Sequence, residues 1–142
     1  MKKYGFTGTR DGLNEKQKAE IINLLQKDLD NGFKIQVTHG DCIGADNDFH
    51  NICRSLKPST KNEADILIHI RPGGTTNNNF RAFCKGDFHY YAKPFLERNK
   101  DIVNNCDILL ACPRSNVEEL RSGTWATIRY ANTISKSTKI IV

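Results

Sequence analysis

The chain has 142 residues, of which 38% are hydrophobic and 26% charged, and carries a formal net charge of +5. That size fits one globular domain around one core. No apolar run approaches the roughly 20 residues of a membrane helix, and Met1-Lys2-Lys3 leads into a short strand instead of a signal-peptide core, so the expected location is the cytoplasm.

The basic balance, with a pI near 9.0, suits a polyanion, a small phosphate ligand and a plain lysine-rich surface equally well. Cys42, Cys53, Cys84, Cys106 and Cys112 are odd in number, scattered and without a C-x-x-C pair. Reduced thiols are expected, not a disulfide framework or a zinc knuckle.

Residues 3–7 read as a first strand ending at Gly8, and 14–30 carry Ala19, Ile22, Leu25 and Leu29 at helical spacing behind an Asn14 cap. Asn31-Gly32 stops that helix. A second strand follows at 34–38, and Ala45, Phe49, Ile52, Cys53 and Leu56 mark one face of a second helix. Residues 65–70 are β-rich, 94–105 helical, 107–111 a nearly continuous apolar strand, 122–133 helical, and 139–142 a last strand. Strands separated by helix-sized segments imply right-handed crossovers and buried parallel strands. The expected fold is a single Rossmann-like three-layer αβα sandwich over residues 1–142, with a mostly parallel sheet.

A long loop insertion at about 71–94 breaks the alternation. It opens with Pro72-Gly73-Gly74, continues through 75–79, and holds or adjoins Phe80, Phe83, Phe88, Tyr90, Tyr91 and Phe95, half of the twelve Phe, Tyr and Trp residues. So many rings predict a packed mini-layer or a subunit interface, and the expected assembly is a homo-oligomer, a dimer.

In an open parallel sheet, ligands sit beyond the carboxyl ends of the strands. Three loops leave such ends here. In the first, Gly8 allows close backbone approach, Thr9 supplies a hydroxyl and Arg10 can grip a phosphate in a bidentate fashion, although an ordinary βα turn reads the same way. The second runs His39-Gly40-Asp41-Cys42-Ile43-Gly44-Ala45-Asp46, with Gly44 at a helix start and Asp46 placed to accept ribose hydroxyls or to complement the helix dipole. His39, Asp41, Asp46 and His50 match no familiar metal spacing, so no metal and no cofactor is expected.

The third loop is the strongest. After Pro113, Arg121 supplies charge, Ser122 a cap, Gly123 close approach, and Thr124 both an N–H and a hydroxyl. Trp125 either walls the pocket or staples the helix to its neighbour.

Together these motifs resemble the SLOG superfamily of Rossmann-like nucleotide-binding proteins, which includes DNA-processing proteins and LOG-type phosphoribohydrolases. The carriers are Gly8-Thr9-Arg10, His39-Gly40-Asp41 with Gly44-Ala45-Asp46, Arg98-Asn99, and Arg121-Ser122-Gly123-Thr124 after Ala111-Cys112-Pro113. The resemblance implies phosphate binding by Arg10, Arg98 and Arg121, with Asp46 or Asp41 on ribose hydroxyls. In LOG enzymes a glutamate follows the Gly-Thr pair; Thr127 occupies that position here. N-glycosidic cleavage benefits from a carboxylate near the developing oxocarbenium charge, so a hydrolase would have to draw on Glu118, Glu119 or Asp41.

The leading expectation is a protein that binds a nucleotide or nucleotide-derived molecule, an ADP-ribose-like signal included, as a sensor or a sequestering protein. A nucleoside-monophosphate phosphoribohydrolase is the alternative. Single-stranded nucleic-acid binding is the third reading, since a basic chain with clustered aromatics offers phosphate contacts and stacking.

Overall fold

Strand β1 (Lys2–Gly8) buries Tyr4 and Phe6 in a computed structural model that describes residues 1–60, 62–74 and 79–142. After it come α1 (Glu15–Asp30), β2 (Ile35–His39), α2 (Ala45–Leu56), β3 (Ile66–Ile70), β4 (Phe88–His89), α3 (Phe95–Asn104), β5 (Ile108–Cys112), α4 (Gly123–Thr133) and β6 (Ser137–Ile140). The strands lie in the order β4-β3-β2-β1-β5-β6, and every neighbouring pair is parallel. The apolar runs Ile66–Ile70 and Ile108–Cys112 follow from this burial, because helices cover both faces of the sheet.

Helices α1 and α2 pack on one face, over a core that includes Phe6, Val37, Ile68 and Phe49. The Phe6 and Phe49 rings stack with centroids 4.2 Å apart. On the other face α3 and α4 close over Ile102, Val103, Leu109 and Ala131. This is the three-layer sandwich expected from the alternation, and among the described residues no helix is long and apolar enough to cross a membrane.

The α2 face is the one read from its spacing: Ala45, Phe49, Ile52, Cys53 and Leu56 are all buried. The α1 face is not. Gln17, Ile21, Leu25 and Asp28 are buried, while Ala19 and Ile22 face solvent. Two polar residues with dedicated partners set this phase. Gln17 completes a capping box with Asn14 and donates its side-chain amide to the carbonyls of Pro113 (3.2 Å) and Ile141 (2.9 Å). Asp28 accepts from the Tyr4 hydroxyl and from Lys2 Nζ at 2.7 Å.

The long insertion contributes a strand that the alternation did not foretell. Asp87 N–H donates to Ile68 O and Tyr90 N–H to Ile70 O, which lays β4 along the sheet edge. Its rings form no packed mini-layer: Phe83, Phe88 and Tyr91 are exposed, Tyr91 by 96%. They pair with cations and histidine instead, since Arg81 lies over Phe83, and His69 stacks on Phe88 at 4.5 Å. The last strand also begins two residues earlier than the apolar run suggested, and Ile141 is buried beyond its end.

Candidate functional site

From β1 the chain steps outward through β2, β3 and β4, then returns to place β5 on the opposite side of β1. The loops after β1 and β5 therefore diverge, and a crevice opens between them. A cleft of about 410 Å³ occupies that point, within the range of small-molecule sites. It brings together Gly8, Thr9 and Arg10; Gly40 and Asp46; Arg98 and Asn99; and Glu119 with Arg121 through Trp125.

Two glycines make the first two loops fit. Gly44 has φ of +87°, and a β-carbon there would strike the backbone carbonyl of Arg10. Ala45 N–H donates to Thr9 O at 2.9 Å and its methyl packs where a Gly8 side chain would stand, so Gly44 and Ala45 fasten the loops and do not line the cleft.

The third loop delivers a helix start. Ser122 Oγ accepts from Trp125 N–H at 3.2 Å, and Ser122 O accepts from Ala126 N–H at 2.9 Å. The N–H groups of Gly123 and Thr124 have no acceptor among the described residues, and nothing crowds the Gly123 Cα on the side a Cβ would take. By contrast, α1 shuts its first turn with the Asn14–Gln17 box. The start of α4 stays open on the cleft at Gly123 and Thr124, where orphan amides and the positive dipole end favour an anion.

Three arginines ring the mouth. Arg10 lies 3.6 Å over the Phe80 ring, Arg114 pairs with Asp11 at 2.8 Å, and Arg121 makes no ion pair among the described residues. Arg98 is different in kind, being 5% exposed. Its Nη1 donates to Gly40 O (2.5 Å) and Arg71 O (3.1 Å), its Nε to Asn99 Oδ1 (2.8 Å), and its Nη2 approaches Cys42 Sγ at 3.7 Å. Side chains at Gly40 or Gly73 would collide with the guanidinium. Arg98 thus ties the ends of β2 and β3 to α3 and keeps only Nη2 for anything in the cleft.

Asp46 supplies the buried carboxylate of the site. Its Oδ2 accepts from Cys42 N–H at 3.1 Å. Burial pushes its pKa up to about 6, opposed by the Arg98 charge and the backbone N–H groups of Cys42 and Gly40.

Apart from Glu119, the remaining sequence candidates lie outside the cleft. Asp41 is fully buried with φ of +58°, and it straps residues 79–84 onto the second loop. Its carboxylate takes Arg81 Nε and Cys84 N–H, each at 2.8 Å. It does not line the cleft, where a ribose-binding or catalytic carboxylate was expected. Buried Pro113 offers its carbonyl to Gln17. Glu118 pairs with Arg129 at 3.2 Å, which leaves Glu119 as the one catalytic candidate from that loop on the cleft wall. Thr127 is buried and gives its hydroxyl to Gly123 O at 2.9 Å, so nothing carboxylate-like stands where a LOG enzyme has its glutamate.

His39 is wholly buried, its Nε2 3.0 Å from His50 Nδ1, with Cys84 nearby. Asp41 N–H donates to His39 Nδ1, so the proton sits on Nε2 and is donated to His50. That chain uses the lone pairs a metal would need, and burial drives the His39 pKa down to about 3.

Cys42, Asp11, Phe95 and Arg114 also line the cleft without having been singled out from sequence. Their types carry no motif; only the meeting of the loops reveals them. Trp125 lines the cleft and packs on Ala111 and Ile128. Its Nε1–H is buried without a partner.

No family model matches the sequence, and no curated protein matches it. Solved structures do. The molybdenum cofactor binding protein of the phototrophic bacterium Rippkaea orientalis superposes on 98% of this chain and 75% of its own, with a TM-score of 0.66 and 16% identity. The fold is Rossmann-like. An X-ray structure of TM1055, a structural-genomics target, covers 97% of this chain and 72% of its own, with a TM-score of 0.59 and 16% identity.

Proposed function

We propose that this protein binds a nucleotide or nucleotide-derived small molecule in the cleft between β1 and β5, as a sensor or a sequestering protein of SLOG type. The observation that carries this reading is the open start of α4 at the topological switch point, with free Gly123 and Thr124 amides beside Arg121 and Arg10. A phosphate fits those donors. Asp46 faces the same space and accepts ribose hydroxyls, and Trp125 and Phe95 supply apolar wall for the rest of the ligand. The SLOG-like motifs and the fold shared with a molybdenum cofactor binding protein support small-molecule binding. Calorimetry against AMP, ADP-ribose, other nucleotides and molybdenum cofactor tests the reading. Micromolar binding of a nucleotide, weakened at least tenfold by Arg121→Ala, is expected; uniform silence from a folded sample refutes it.

A second reading rests on Asp46 alone. A buried carboxylate whose pKa lies near 6 can stabilise a developing oxocarbenium ion or pass a proton, which a phosphoribohydrolase requires. Release of free adenine from AMP, lost in Asp46→Asn, would establish it. Binding of AMP without release leaves the sensor or sequestering role.

A further inference from the structure

A second hollow of about 160 Å³ lies at the carboxyl ends of β3 and β4, lined by Arg71, Tyr90, Tyr91, Lys93, Arg98 and Asp101. Arg98 is common to this hollow and the main cleft. The backbone around it is firm: Gly74 N–H donates to Lys93 O at 2.9 Å, Lys93 N–H to Pro72 O at 3.3 Å, and Tyr90 N–H to Ile70 O at 3.0 Å. On this frame the Arg71 guanidinium lies 3.8 Å over the Tyr90 ring, which His69 holds through its hydroxyl at 2.8 Å.

Arg71 is under-used for so well placed a cation. Among the described residues its carboxylate neighbour is Asp101, which stands 4.0 Å from Nη1 and is already bonded to Lys93 Nζ at 2.8 Å. Its Nε–H is buried with no acceptor among the described residues. A buried donor left unmade is costly, and a stacked planar guanidinium favours phosphate in a bidentate fashion. Beside it the Tyr91 ring is almost wholly in water, a stacking surface that no described residue covers.

We propose that the hollow is a second subsite, in which Arg71 and Lys93 hold a second anionic group and Tyr91 stacks a second base, so that the ligand consists of two nucleotide units. This rests on nucleotide binding in the main cleft, with Arg98 as the shared wall between the halves.

Calorimetry with AMP, the 3′,5′-linked pApA and the pyrophosphate-linked NAD tests it in wild type, Arg71→Ala and Tyr91→Ala. At least one dinucleotide is expected to bind wild type tenfold or more tightly than AMP. Arg71→Ala should erase that gain and Tyr91→Ala reduce it severalfold, with AMP affinity unchanged in both. The 96% exposure of Tyr91 keeps its variant safe from misfolding. Dinucleotides no tighter than AMP, or variants that weaken AMP equally, overturn the second subsite while nucleotide binding stands. If neither AMP nor a dinucleotide binds, both readings fall.

Discussion

Replacing Asp46 by asparagine should make the protein more stable at neutral pH while it weakens ligand binding. The folded state raises the Asp46 pKa from the ordinary 3.8 to about 6. Between those values the folded protein holds a proton that the unfolded chain has released, so stability falls as pH rises through the window and stays low above it. Two pH units at 1.36 kcal/mol each amount to roughly 3 kcal/mol carried at pH 7, with the attraction of Arg98 already included. Asparagine keeps an oxygen for the Cys42 N–H and discards the buried charge.

Asp46→Asn should therefore gain about 2 to 3 kcal/mol at pH 7, and almost nothing at pH 4, where the aspartate is neutral in the folded state. For a domain of this size that corresponds to a rise in Tm on the order of 6 to 9 °C. Urea unfolding at pH 7 and pH 4 measures the difference, with calorimetry against the wild-type ligand in parallel. A variant less stable than wild type at pH 7, or a gain independent of pH, would show that the carboxylate is not the strained element of this cleft. Stability surrendered for a charged side chain in a cleft is what a working site looks like.

Other positions give independent tests. Gly44→Ala should cost at least about 2 kcal/mol in urea unfolding, because φ of +87° and the Arg10 carbonyl both oppose a side chain there. Asp41→Ala leaves Arg81 and Cys84 N–H without their buried acceptor, so a loss of about 3 kcal/mol is expected, with faster hydrogen exchange at Ala82 and Cys84. In Phe80→Ala the Arg10 guanidinium loses its support, and nucleotide affinity should fall severalfold with Tm nearly unchanged, since Phe80 is 37% exposed. Equal losses of stability and affinity would refute that positioning role.

Periodicity made the alternation legible, and with it the layers, the parallel sheet and the buried face of α2, because apolar spacing is a local property of the chain. The α1 face escaped it. Its phase is set by Gln17 and Asp28, whose burial is stabilised by partners 24 to 124 residues away and leaves no trace in local hydropathy. The two-residue β4 was hidden for a related reason: it is a strand because Ile68 and Ile70 offer it acceptors.

The candidate site divides along the same line. Helix-start chemistry at Ser122-Gly123-Thr124 is local, so it was legible from sequence alone that a helix start suited to an anion follows the apolar run at 107–111, and that Thr127 stands where LOG enzymes have a glutamate. Only the tertiary structure decided what each charged residue does there. Asp41 and Asp46 are five residues apart, yet one is consumed by Arg81 and Cys84 while the other faces the cleft from the first turn of α2. Arg98 becomes a tie between strand ends because Gly40 and Gly73, far apart in the chain, leave room for its guanidinium. Whether a polar group is free or satisfied depends on partners brought by the fold, and no spacing rule encodes those partners.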